Sequence, residues 1–171
     1  MKRLYLIGGT MGVGKTTACQ QLKRLLDRCV FLDGDWCWDM HPFQLTEDTR
    51  AMVLENICFL LNQFLRCPAY ENVVFCWVLH EQAIWDRILS ALALDGVQVC
   101  RVALVCGEQA LAARLERDIA EGRREPDVLA RSIARLTLYD RLAVPRLVVS
   151  ALTPRETAER ILRLAAEAAQ G

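Results

Sequence analysis

Gly9-Thr10-Met11-Gly12-Val13-Gly14-Lys15-Thr16 reads G-x-x-x-x-G-K-T, and the residues on either side give that pattern its meaning. Leu4-Tyr5-Leu6-Ile7 ahead of it is a short apolar run, and Thr17 to Arg28 behind it reads as a helix. Strand, glycine loop and helix in that order predict a phosphate-binding loop. The glycines let the backbone curl so that its N–H groups point inward at phosphate oxygens. The start of the helix adds the positive end of its dipole. Lys15 is spaced to reach the β- and γ-phosphates, and the Thr16 hydroxyl to ligate Mg²⁺. On this reading Gly9, Thr10, Met11, Gly12, Val13, Gly14, Lys15, Thr16 and Thr17 form a nucleotide cradle.

Beyond the loop, strand and helix alternate. Cys29–Leu32 reads as a second strand, followed by an irregular stretch, Trp36 to Leu45, that contains Pro42. Thr46 is an N-cap for a long helix to about Arg66, with Glu47 and Asp48 favourable in its first turn. Met52, Val53, Ile57, Leu60, Leu61 and Phe64 give that helix a core face. Asn72–Leu79 reads as a strand, Glu81–Leu94 as a helix, and Asp95-Gly96 as a turn. Val97–Cys106 reads as a strand, Glu108–Ile119 as a helix broken at Glu121-Gly122, and Asp127–Arg141 as one further helix with Pro126 in its first turn. Leu147–Val149 is the last strand, and Thr153, Pro154 and Glu156 start the C-terminal helix with a capping box. The strands are apolar throughout rather than alternating, as when helices cover both faces of a sheet. The expected fold is α/β, a doubly wound, mostly parallel five-stranded sheet. With no linker, repeat or low-complexity tract, residues 1–171 are expected to form one domain.

Composition narrows the partners. Lysine plus arginine equals aspartate plus glutamate, 21 each, so no bulk charge favours nucleic acid or an anionic membrane. No stretch approaches a membrane span, and Leu4–Ile7 is too short for a signal-peptide core. The eight cysteines form no C-x-x-C and no zinc spacing, and several lie inside apolar runs. Reduced, buried cysteines in a cytoplasmic protein are the expectation.

In an open α/β sheet, ligands sit at the carboxyl ends of the strands. The second strand delivers Phe31-Leu32-Asp33-Gly34-Asp35 there. Asp-Gly is also ordinary turn chemistry. Beside a phosphate loop, however, the two carboxylates suggest a division of labour: one holds the metal, the other takes a proton from an attacking hydroxyl. In an extended segment, Asp33 and Asp35 would point the same way.

The phosphate loop and the paired aspartates resemble the small P-loop kinases of the gluconate kinase and shikimate kinase type, and the resemblance in organisation spans most of the chain. Phe-x-Asp-x-Asp is similar to shikimate kinases; His41-Pro42 and Leu45-Thr46-Glu47-Asp48-Thr49-Arg50 beyond it look more like gluconate kinases. The resemblance implies a P-loop NTPase fold of the nucleoside-monophosphate-kinase kind, Asp33 on the magnesium side, Asp35 engaging a substrate hydroxyl, and a small helical lid within residues 114–128. The substrate side is expected within residues 36–66. The third strand ends in Leu79-His80-Glu81, where shikimate kinases have a glycine run and gluconate kinases basic residues. The lid lacks the histidine–phenylalanine signature of gluconate kinases. No Asn-Lys-x-Asp guanine-reading motif occurs.

Arg114 and Arg117 lie three apart on one helix face, and Arg123 and Arg124 follow the hinge-capable Gly122. Guanidinium groups suit the charge that spreads over a transferring phosphoryl. Lys15, Asp35, Arg117 and Arg124 are therefore the candidate catalytic residues, Arg114 and Arg117 join the nucleotide site, and Thr16 and Asp33 are the candidate metal ligands. Asp35, Trp36, Trp38, Arg50, His80 and Glu81 are the candidate acceptor residues; the tryptophans (with Phe43 nearby) either stack on a ring or pack the core. The expectation is an ATP- and Mg²⁺-dependent kinase acting on a hydroxyl of a small metabolite such as a sugar acid or polyol. A nucleoside or nucleotide kinase and a regulatory nucleotide-binding module with weak ATPase activity are the competing readings. The sequence specifies no oligomeric state.

Overall fold

Side chains of β1 (Lys2–Gly9) alternate between two buried layers: Tyr5 and Ile7 enter one apolar cluster, Leu4 and Leu6 the other. That alternation with no polar side explains why the strands read as unbroken apolar runs. The computed structural model describes residues 1–168; residues 169–171 of the expected domain lie outside the described residues. The other strands are β2 (Cys29–Asp33), β3 (Asn72–Cys76), β4 (Val97–Val105) and β5 (Arg146–Val148). All pair in parallel, in the order β2-β3-β1-β4-β5. The doubly wound five-stranded sheet is as expected.

Helices cover both faces. One cluster takes α1 (Lys15–Leu25) through Ala18, Cys19 and Leu22, α4 (Glu108–Ala120) through Leu111 and Leu115, and α6 (Pro154–Glu167) through Ala158 and Ile161. The other takes α2 (Glu47–Arg66) through Val53, Ile57 and Leu61, and α3 (Gln82–Ala91) through Trp85 and Ile88. The capping boxes at Thr46 and Thr153 are both formed. β1 lies between β3 and β4, and the chain leaves it toward β2 on one side and reaches β4 on the other. The carboxyl end of β1 is thus the topological switch point, where such sheets bind ligands. Among the described residues, no helix is long and apolar enough to cross a membrane.

Three expectations are corrected. The helix expected over Asp127–Arg141 is two pieces, α5 (Val128–Ala134) and a 3-10 turn over Leu136–Arg141. Val128 belongs to the first cluster and Tyr139 to the second. The chain crosses from one layer to the other here, which one straight helix cannot do, and Pro126 falls ahead of the helix rather than within it. β3 stops at Cys76 rather than Leu79; Trp77 N–H still donates to the Ile7 carbonyl and Gly9 N–H to the Val78 carbonyl before Leu79 turns into the left-handed region at φ 38°. Its side chain is fully buried, and its carbonyl accepts the Trp85 indole N–H at 2.9 Å. Tyr139 adds a hydroxyl bond to the neighbouring Val78 carbonyl. Finally, α3 ends at Ala91 rather than Leu94, because Leu92 turns extended.

The Leu79 turn fixes where the β3 tip lies beside the phosphate loop. Trp85→Phe keeps most of the apolar volume but orphans that buried carbonyl. It should cost about 1–3 kcal/mol in urea unfolding, the range for a buried polar group left unsatisfied. A loss within error of zero would mean the indole bond does not hold the turn.

Candidate active site

Gly12 and Gly14 take φ of 81° and 102°, which L side chains rarely adopt. At Gly12 a Cβ would also lie 2.5 Å from Leu115 Cδ2. The loop thus packs directly under α4 and can curl only with glycine. Gly14 caps α1, so the N–H groups of the first turn face the loop. Lys15 Nζ donates to the Thr10 carbonyl at 3.0 Å, and the Thr17 hydroxyl to the Gly14 carbonyl at 3.0 Å. Burial pushes the Lys15 pKa down, and the Cys76, Asp35 and Asp33 groups offset this only in part. Thr10 is buried, and its hydroxyl donates to the Ser132 carbonyl of α5 at 3.0 Å. Its side chain therefore braces the loop against α5, leaving its backbone for the loop.

Asp33 ends β2 and is 3% exposed. Its Oδ2 accepts the Thr16 hydroxyl at 2.6 Å, and its Oδ1 accepts the Asp35 backbone N–H at 3.0 Å. The second bond turns the chain into a 3-10 helix over Gly34–Trp38. The expectation of an extended segment with two parallel carboxylates is thereby corrected: Asp33 points inward, and Asp35 stands one step out at the mouth. The protein around Asp35 strips part of its hydration and raises its pKa; Lys15 opposes this, Asp33 adds to it, and a Trp77 hydrogen bond and Arg124 oppose it further. Gly34 makes room for Trp77, since a Cβ there would lie 2.5 Å from the indole Cγ. Thr16 and Asp33 offer adjacent hard oxygen ligands, which fits an Mg²⁺ that also takes phosphate oxygens and water. Among the described residues no group of three or more His, Cys, Asp or Glu could hold an ion unaided.

A cleft of about 640 Å³ opens over the loop. Val149, Leu152 and Pro154 give it apolar lining, and Lys15, Asp35, Arg117, Asp118, Arg123 and Arg124 give it charged lining. Apolar and cationic side chains lining one cleft suit a molecule with a flat head and an anionic tail. Arg114 lines the cleft, but its guanidinium donates to the carbonyls of Val13 (2.9 Å), Val149 (2.8 Å) and Ser150 (3.2 Å). It ties the phosphate loop to the apolar wall instead of offering a free fork.

The acceptor candidates do not converge as one group. Trp36 packs edge-on against Phe31 at 5.3 Å, a residue of the first cluster, and stays 54% exposed. Trp38 packs on Phe43 at 5.9 Å and belongs with the second cluster. The two tryptophans therefore sit on different sides of the β2 edge. Arg50 is exposed on the first turn of α2, outside the cleft. His80 pairs with Glu81 at 3.2 Å, also outside the cleft, and burial pushes the His80 pKa down, aided by Arg135. Two site residues escaped the sequence reading. Trp77 carried a signal, as a tryptophan just past the carboxyl end of the third strand. Asp118 carried none, being one acidic residue on an exposed-looking helix.

The family profile described as AAA domain matches residues 6–133. No curated protein matches the chain by sequence. Among solved structures it is similar to a gluconokinase from Sinorhizobium meliloti, with TM-score 0.71, 20% identity, and 97% of this chain and 93% of that one covered. The tunicamycin resistance protein of Deinococcus radiodurans gives TM-score 0.69 and 18% identity over 95% of each chain. Shikimate kinase from Acinetobacter baumannii, solved with shikimate, gives 0.63 and 21% over 98% and 94%. At these identities the likeness describes the fold.

Lys15→Ala separates binding from stability. Removing the loop's cation should weaken Mg-nucleotide binding on the order of tenfold or more by titration calorimetry. Because burial disfavours the charged amine, the melting temperature should hold or rise. Unchanged nucleotide affinity would contradict the role of the loop.

Proposed function

We propose that this chain, which belongs to the AAA domain family, transfers the γ-phosphate of ATP to a hydroxyl of a small molecule. The observation that carries the reading is the unequal pair at the end of β2. Asp33 is buried against Thr16, and Asp35 lines the cleft together with Lys15 and the lid arginines. A module that only binds nucleotide needs the first carboxylate and has no use for the second. The residues 36–66 form the acceptor side, the residues 114–128 the lid, and 1–171 act as one unit. The eight cysteines, all free, suit the reducing cytoplasm.

The backbone N–H groups of Gly12 to Thr16 hold the phosphates, and the apolar wall at Leu152 and Pro154 receives the base. Thr16 and Asp33 would hold Mg²⁺, which when bound neutralises phosphate charge. Lys15 gives up the Thr10 carbonyl for a β- or γ-oxygen. Arg117 and Arg124 close over the γ-phosphate and exclude water, so that transfer outruns hydrolysis. Asp35 accepts the hydroxyl proton as the oxygen attacks, and the γ-phosphate leaves the β-phosphate oxygen. Little activation of the nucleophile is required; holding donor and acceptor in line supplies most of the acceleration.

The test is ADP release across a panel of sugar acids, polyols, nucleosides and other alcohols. With an accepted substrate, Asp35→Asn should bind ATP nearly normally and lose on the order of a hundredfold or more in turnover, the scale for a missing general base. A raised pKa leaves Asp35 protonated at pH values where an ordinary carboxylate is ionised. Turnover at low substrate should therefore fall as pH drops through a value above the usual carboxylate range, and Asp35→Asn should remove that limb. Equal loss of ATP binding in Asp33→Asn and Asp35→Asn would make the pair a metal site only.

A further inference from the structure

Asp118 is, with Asp35, one of two carboxylates lining a cleft that also holds Lys15 and four arginines. It occupies the last turn of α4 with its side chain 22% exposed, and it lines the same wall as Lys15 and the phosphate loop. A free carboxylate there would repel a triphosphate. Asp118 is not free: Oδ1 accepts Arg123 Nη2 at 2.7 Å, and Oδ2 accepts Arg124 Nε at 3.2 Å. Burial alone would raise its pKa, but the hydrogen bonds from Arg123 and Arg124 outweigh it and hold the carboxyl below its ordinary value.

The geometry of the two arms differs. Arg123 is 55% exposed and is shared with Glu121. Arg124 is 33% exposed and meets Asp118 through Nε alone. Among the described residues its two Nη groups have no hydrogen-bond partner, and its charge reaches Asp35 across the cleft. The backbone reinforces this aim. The Arg123 N–H donates to the Asp118 carbonyl at 2.8 Å, and the Gly122 N–H to the Ile119 carbonyl at 2.9 Å, closing a tight turn with Gly122 at φ 70°. A long, flexible side chain is thus gripped at its neck while its planar fork stays open.

We propose that Asp118 is a positioning residue that aims the Arg124 fork at the γ-phosphate, so that this site distinguishes a nucleoside triphosphate from a diphosphate before any acceptor arrives. This rests on the phosphoryl-transfer reading for its purpose but not for its test. A pre-aimed fork loses less side-chain freedom on binding than a free arginine, and it makes a bidentate contact with two phosphate oxygens. The benefit is confined to a ligand that has a γ-phosphate.

Calorimetric titration with Mg²⁺ and either ADP or the β,γ-imido analogue of ATP tests this directly. The variants are Asp118→Asn, Arg124→Ala and the double. The wild type should bind the imido analogue more tightly than ADP. Asp118→Asn should cut affinity for the analogue about tenfold, as for a misaligned charged bond, and leave ADP within about twofold. With Arg124→Ala already present, Asp118→Asn should change the analogue's affinity by less than about twofold. Should Asp118→Asn fail to fold, Asp118→Glu serves: its longer carboxylate keeps the ion pairs but shifts the fork, so the triphosphate preference falls while ADP binding holds. Equal loss for both nucleotides, no loss, tighter binding, or a full further loss in the Arg124→Ala background would each overturn the proposal. A wild type that binds neither nucleotide would overturn it together with the phosphoryl-transfer reading. Absence of any acceptor-dependent turnover would remove the transfer reading alone and leave the nucleotide discrimination standing.

Discussion

The 2.6 Å hydrogen bond between Thr16 and Asp33 joins the start of α1 to the end of β2, with β3 lying between β2 and β1. It holds the phosphate loop against the acidic edge of the sheet. The other oxygen of Asp33 accepts the Asp35 N–H and turns the chain there. That second bond sets Asp35 apart at the mouth, and Gly34 then admits Trp77 beside it. One buried carboxylate thus joins the candidate metal-side oxygens to the candidate proton acceptor. Within the same cleft Asp118 is a second organiser, holding Arg123 and Arg124 beside the loop.

The phosphate loop was legible in the sequence because its demands are local. The left-handed φ values at Gly12 and Gly14 and the N–H groups of the following helix depend on residues within one turn. The capping threonines, Thr46 and Thr153, were legible for the same reason. The sheet followed from the apolar runs, since a parallel strand covered on both faces has no polar side to show.

What the sequence concealed depends on direction in three dimensions. Trp36 and Trp38 look like a pair two residues apart, as in a strand. A 3-10 helix has three residues per turn, so positions two apart diverge, and the tryptophans pack in different layers. The segment Asp127–Arg141 hid a crossover: Val128, Ile133 and Leu136 pack on the first cluster, and Tyr139 on the second. Arg114 resembled Arg117 and Arg124 in sequence; only packing shows that backbone carbonyls occupy it. Asp118 lies five and six residues before its arginine partners, beyond ordinary helical pairing, and the Gly122 turn brings them together.

These elements converge on one chemical claim, that a phosphoryl group passes from ATP to an alcohol oxygen within this cleft. The most direct measurement is phosphorus NMR of the protein with ATP, Mg²⁺ and a panel of hydroxyl compounds. The account predicts that the γ-phosphate resonance gives way to a new phosphomonoester resonance in step with ADP, with little inorganic phosphate. Consumption of ATP that yields only inorganic phosphate, whatever alcohol is present, would contradict it.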